Sequence, residues 1–405
     1  MGCSVKTSAE AVRPSWQFVV AAGGLEFVIY KMMDPFYLQY LTTDHGVGLT
    51  GSQFGIFVGL SSGVSFALDY LLGDLADRVG RRLCWALSLA VYAVAMVTLP
   101  LVGTFPMLCL VAVFMGIATA LASGAQQAWL YDSVGETRYK KTMSTLYVCA
   151  LPFTLFGVLV GIGLGYLDSL RIPIFVASGA CLLLAAFIFL FLPENRATER
   201  TDKKPGFLDG ARVVARQPAL LLAAIQSVIF IVPAWITSAW WITYLNDHFH
   251  FSLNDTVLAF AATSVTAAVA GLAIDKINQK NYTVLLLIPS AVIVMLWSLA
   301  LVVDNAILFI AIVTLVIGFS YVKSMGLSLF ENALITKDRA ASLSFMNTIA
   351  SLGWIIGPPL IGWLINAAGF QGLFVLAVAS SAVSLVLLYV ALRVGRDALH
   401  SEATP

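Results

Sequence analysis

Twelve stretches of roughly twenty mostly apolar residues follow one another along the chain, separated by short polar breaks. They run at about 16–40, 51–72, 83–102, 105–128, 143–166, 172–192, 218–244, 253–274, 282–302, 305–330, 343–366 and 371–392. As a helix rising about 1.5 Å per residue, each is long enough to cross a hydrocarbon core of roughly 30 Å. The pattern predicts an all-α integral membrane protein with twelve transmembrane helices. The longest polar interval, 193–217, carries Pro193, Pro205 and six cations, and reads as a linker with a short amphipathic helix near 207–216. A cut there predicts an N-terminal six-helix bundle over 1–192, a cytoplasmic linker over 193–217 and a C-terminal six-helix bundle over 218–405.

One polar break recurs. Between the second and third spans stands Gly73-Asp74-Leu75-Ala76-Asp77-Arg78-Val79-Gly80-Arg81-Arg82, and 198 positions later Gly271-Leu272-Ala273-Ile274-Asp275-Lys276-Ile277-Asn278-Gln279-Lys280. Both copies place Asp four residues after Gly, a cation next, and another cation tenth. So charged a decapeptide between two apolar segments reads as a tight turn at the membrane surface. Its recurrence implies a duplicated chain in which substrate is held near the midplane between the halves. Span five (Gly157, Gly161, Gly163, Gly165) and span eleven (Gly353, Gly357, Pro358, Pro359, Gly362) pair up in the same way, and their small residues suit close helix packing.

Composition agrees: 60% of residues are hydrophobic and 11% charged, against roughly 25% charged in soluble domains. Charge also orients the chain. With the N-terminus inside, 20 of the 23 lysines and arginines fall in the termini, the linker and the turns of one side, as expected for cytoplasmic loops. Both termini are therefore expected in the cytoplasm and the chain in the cell inner membrane, bathed by lipid and monomeric. The net charge of +1 hides this asymmetry and points to no nucleic acid. The five cysteines form no zinc or outer-loop disulfide pattern, no cleavable signal stands at the start, and no nucleophile–base pair, phosphate loop, metal site or cofactor motif emerges. An enzyme is not expected.

Ionisable and amide groups inside spans mark function by default. They are Glu26, Lys31 and Asp34 in span one, Asp69 in span two, Gln126 and Gln127 in span four, Gln226 in span seven and Lys323 in span ten. At 100° per residue Glu26, Tyr30, Asp34 and Tyr37 share an arc of about 80°, with Lys31 within reach of Asp34. A carboxylate in a poorly hydrated cavity can exchange a proton near neutral pH. Glu26 and Asp34 are the candidate proton-coupling pair; a purely structural reading has Lys31 neutralise Asp34 and Glu26 bond to a neighbouring helix. Tyr30, Lys31, Tyr37, Gln126, Gln127, Gln226, Trp235 and Lys323 are candidate substrate contacts. Lys323 has two other readings, pairing with an acid across the cavity or snorkelling to the surface. Trp235, with Trp240, Trp241 and Tyr244, also reads as an interfacial aromatic belt.

The decapeptide resembles the signature turn of the major facilitator superfamily, Gly-x-Leu-Ala-Asp-Arg-x-Gly-Arg-Lys/Arg, matched at Gly73, Leu75, Ala76, Asp77, Arg78, Gly80, Arg81 and Arg82. The resemblance implies two six-helix bundles that rock about a central cavity lined by spans one, four, seven and ten. It also implies a gating role for Asp69, Gly73, Asp77, Arg78, Gly80, Arg81 and Arg82, with Asp77 facing the start of span eleven; a purely topogenic role for the arginines is the alternative. Glu26-Phe27-Val28-Ile29-Tyr30-Lys31-Met32-Met33-Asp34 resembles the first-helix stretch of some bacterial drug/proton antiporters, departing from it by Lys31 and by Pro35 after the acid. Span eleven is similar to the Gly-x-x-x-Gly-Pro-x-x-Gly motif that such antiporters carry in span five, where this chain has no proline after Gly161.

These readings converge on a proton-coupled exporter of amphiphilic drugs or metabolites. A proton symporter importing a small polar nutrient or organic acid is the alternative. A non-transporting sensor or scaffold is a third reading, against which the intact gating turn speaks.

Overall fold

A computed structural model describes residues 16–401 apart from 44, 45, 124, 135, 166, 168, 195–206, 253, 254, 257, 264, 267–280 and 336–338. At some helical positions, among them Gly73, Asp74, Asp77 and Gln127, only the backbone is described. The echo decapeptide at 271–280 and most of span eight lie outside the described residues.

Among the described residues every regular element is a helix, as a bilayer requires of segments that must satisfy their own backbone hydrogen bonds. Spans one to three are Trp16–Thr42, Gly51–Val79 and Arg81–Thr98. Span four is Phe105–Ala122, which breaks at Ser123 and resumes as Ala125–Val134. Spans five and six are Glu136–Gly165 and Arg171–Phe191, and the amphipathic linker helix forms over Phe207–Arg216. Span seven runs from Pro218 to Phe249 with a wide turn at Ile236–Trp240. Span nine comprises Thr283–Leu287 and Ile288–Ala300, and span ten is Ala306–Leu334. Arg339–Ser401 holds spans eleven and twelve, parted at Gly369 (φ 64°, ψ −167°).

Local chemistry sets the ends. Thr50 and Gln53 cap span two reciprocally, Thr50 Oγ1 accepting from the Gln53 amide and Gln53 Oε1 from the Thr50 amide at 3.0 Å. Asn305 Oδ1 accepts from Leu308 N at 3.0 Å to start span ten. The decapeptide proves to be helix for most of its length: span two continues to Val79, and Gly80 alone makes the turn, with φ 132°. A side chain there would meet the Glu194 carboxylate. Asp132 and Glu331 lie in the last turns of their helices.

Small residues bring helices close, as the sequence predicted. A Cβ added at Gly157 of span five would lie 2.6 Å from the Val28 carbonyl of span one, and one at Gly161 2.8 Å from that of Met32. Span two packs on span eleven in the same manner, Gly55 against the Pro358 carbonyl and Gly59 against that of Ile355, 2.8 Å from an added Cβ. Gly357 instead faces Ile231 of span seven. These contacts gather at the end of span two remote from the arginines. There Asn366 accepts from Gly51 N (3.1 Å) and donates to Ser52 Oγ (2.8 Å). The buried Phe54 ring lies between Trp235 (stacked, 6.0 Å) and Trp240 (edge-on, 5.3 Å) of span seven. Toward the arginines Phe66, Asp69, Leu71 and Leu75 are exposed. Among the described residues, span two meets spans seven and eleven at its Gly51–Gly59 end.

Candidate transport site

Glu26 is 9% exposed, and its carboxylate accepts from Gln126 Nε2 at 2.8 Å. The Tyr30 hydroxyl and the Trp85 indole border the same carboxylate. Tyr30 packs edge-on against Tyr92 at 5.3 Å. One carboxyl is thus held by spans one, three and four, with neutral groups as its nearest partners. Sequence periodicity placed Tyr37 on this face, and its hydroxyl reaches Met115 of span four at 3.8 Å while its ring contacts Phe57.

Asp34 is drawn away from Glu26. It pairs with Lys31 at 2.8 Å, the two side chains being 36% and 31% exposed. The Lys31 ammonium also stands 5.4 Å from the Phe260 ring, and its Cβ lies 3.2 Å from where a side chain on Gly157 would begin. The helical arc that promised a single acidic face therefore divides. Glu26 sits inside the N-terminal helices, whereas the Lys31–Asp34 pair reaches toward Phe260 in the other half.

Lys323 is 2% exposed. Its Nζ donates to Ser384 Oγ of span twelve at 2.9 Å and lies 3.0 Å from the Phe230 ring centroid of span seven. Among the described residues no acid pairs with Lys323, and its side chain is buried within its own half. Gln226 is buried, and its Oε1 has no donor among the described residues. The Gln127 side chain lies outside the described residues. Trp235 is buried between Phe54 and Trp354, 5.6 Å from the latter.

The arginine turn is bound to the ends of spans four and six. Arg81 pairs with Asp132 and donates to the Ala128 carbonyl at 3.3 Å. Arg82 donates to the Leu192 carbonyl at 2.5 Å, its backbone N donates to Glu194 Oε1 at 3.0 Å, and its Nε lies 3.4 Å from Glu194 Oε2. Trp129 Nε1 closes the cluster on the Pro193 carbonyl at 2.9 Å. Sequence reading missed Asp132 and Glu194 as partners; the clue was an acid at the end of each span bordering an arginine-rich turn. Arg78 and Asp69 are exposed. The contact expected between Asp77 and span eleven falls on a side chain outside those described.

Residues 19–334 match the profile of the Major Facilitator Superfamily. An uncharacterized MFS-type transporter of Mycobacterium tuberculosis is 27% identical over 212 residues, covering 52% of this chain; the match spans about half (49%) of that relative's length. The quinolone resistance protein NorA of Staphylococcus aureus is 25% identical over 353 residues, 82% of this chain and 84% of that protein. Among solved structures the nucleoside transporter NupG superposes with a TM-score of 0.74 at 14% identity, covering 94% of this chain and 98% of the other. At that identity the likeness is one of fold.

Proposed function

This chain belongs to the major facilitator superfamily, and we propose that it is a proton-coupled exporter of amphiphilic drugs or metabolites working by alternating access. In this reading it lies as a monomer in the cell inner membrane, with the arginine turn and both termini cytoplasmic. The structure is then an inward-facing state, closed outside by Phe54 and Asn366. The two six-helix bundles, 1–192 and 218–405, rock about the Gly51–Gly59 contact with span eleven.

The observation that carries the reading is the Glu26–Gln126 pair. A buried carboxylate bonded to an amide and bordered by Tyr30 and Trp85 changes charge without breaking an ion pair. Its proton is therefore available for coupling. Asp34 is the second coupling acid, restrained by Lys31, and substrate competes for that pair where it reaches toward Phe260. Protonation of Glu26 or Asp34 from outside then frees the cargo outward. The likeness to a quinolone resistance protein supports an amphiphilic cargo. Arg81 and Arg82, fastened to Asp132 and Glu194, stiffen the inner ends of spans three, four and six so that they move together.

The test is to energise inverted vesicles, add drug-like amphiphiles, sugars or organic acids, and follow the pH gradient. Dissipation by the amphiphiles supports antiport. A response to sugars or organic acids alone overturns it in favour of a nutrient symporter.

A further inference from the structure

Glu331 sits one turn from the end of span ten, at the arginine-turn end of the C-terminal helices. Its side chain has no hydrogen-bond or ion-pair partner among the described residues. It lines a cavity of about 340 Å³ together with Ser227 of span seven, Ser324, Ser328 and Asn332 of span ten, and Asn347 of span eleven. The remaining wall is apolar, from Leu327, Leu343 and Met346. No lysine or arginine lines it among the described residues; Lys323, two turns away, is turned to Ser384 and Phe230.

The lining selects a ligand by charge, hydrogen bonding and size. Glu331 brings a carboxyl group that meets no lysine or arginine among the described residues. Ser227 donates its proton to the Ala223 carbonyl at 3.1 Å, so its oxygen offers lone pairs to the cavity. An acceptor-rich wall around a carboxylate suits a cation with several N–H donors. The volume is at the lower end of the roughly 300–1,000 Å³ of small-molecule sites, far above the share of liquid volume of one water, about 30 Å³. The apolar wall accommodates a short hydrocarbon portion.

We infer that this cavity is a second cation site, taking a small primary alkylammonium ion, and that Glu331 is its anionic ligand. It is separate from Glu26 and Asp34 and does not depend on their coupling role, since binding here needs no proton gradient.

The test is equilibrium dialysis of the purified full-length protein with radiolabelled n-butylammonium, against 1-butanol as the neutral isostere. The wild-type chain is expected to bind the ammonium saturably and prefer it by roughly tenfold or more, which is about 1.4 kcal/mol. Glu331→Gln, which preserves shape, removes that preference. Ser227→Leu fills the cavity from span seven, leaves Glu331 in place and also removes it, so the inference stays open to refutation if Glu331→Gln fails to fold. Absence of saturable binding by the wild-type chain overturns the assignment. So does unchanged binding in either folded variant, or binding abolished by Glu26→Gln but intact in Glu331→Gln.

Discussion

Gln126 reaches from span four to give Glu26 of span one a 2.8 Å hydrogen bond, so the deepest acid of the first helix is fixed by an amide and not by a cation. Glu26→Gln allows an amide–amide bond in the same place and removes only the exchangeable proton. Proton-driven transport in vesicles is expected to vanish, while thermal unfolding shifts by less than about 1 kcal/mol. Full transport by this variant would sink the coupling assignment.

Gln126→Leu isolates the same carboxylate. Removing one partner of a buried polar pair costs about 1–3 kcal/mol, so this variant is expected to melt earlier than Glu26→Gln. Equal melting of the two would show that the bond contributes nothing to holding spans one and four.

Asp34 is about one-third exposed and its partner Lys31 similarly so. Exposed pairs contribute about 0–1 kcal/mol. Asp34→Asn is therefore expected to leave stability almost unchanged and to abolish transport against the gradient. Lost stability with retained transport would make the pair structural.

Phe54 is the ring clamped between Trp235 and Trp240. Phe54→Ala removes a buried aromatic that exists only in the closed outer end, a loss of about 3–5 kcal/mol to that state. Each 1.4 kcal/mol or so is a factor of ten in the closed–open equilibrium. In a background with native cysteines replaced by serine, alkylation of Asn366→Cys is expected to accelerate by about tenfold or more when Phe54→Ala is added. An unchanged rate would mean that the aromatic cluster does not hold the gate.

Gly80 occupies φ 132° with its Cα against Glu194. Gly80→Ala forces a side chain into that backbone region and into the carboxylate that anchors Arg82. A cost of about 1–3 kcal/mol is expected, read as a lower melting temperature. A variant as stable as the parent would show that the turn relaxes freely.

Much of this architecture is legible along the chain because the bilayer simplifies the problem. An apolar run of twenty residues has one way to satisfy its backbone, so the membrane helices, the amphipathic segment at 207–216 and the close packing at Gly157, Gly161 and Gly357 follow from sequence. The candidate site is legible by residue type but not by arrangement. Glu26, Tyr30 and Asp34 share an arc on a helical wheel, yet Asp34 bonds within its own helix to Lys31 and Glu26 bonds across to Gln126. Lys323 reads as a cavity cation and points instead at Ser384. The decapeptide at 73–82 reads as a turn because charge ends an apolar run, whereas span two carries on through it to Val79.

Hydropathy and a short charged motif are local properties, so the order of amino acids is enough to establish a helical membrane protein of this superfamily and the few polar groups within its spans. The partners of those groups emerge only from the packed molecule: Arg81 and Arg82 are held by Asp132 and Glu194, Phe54 is enclosed by tryptophans of span seven, and Glu331 lines a cavity with Ser227 and Asn347. The reason is geometric. A partner depends on how each helix is rotated and which neighbour it meets, and those are set by packing between segments tens or hundreds of residues apart.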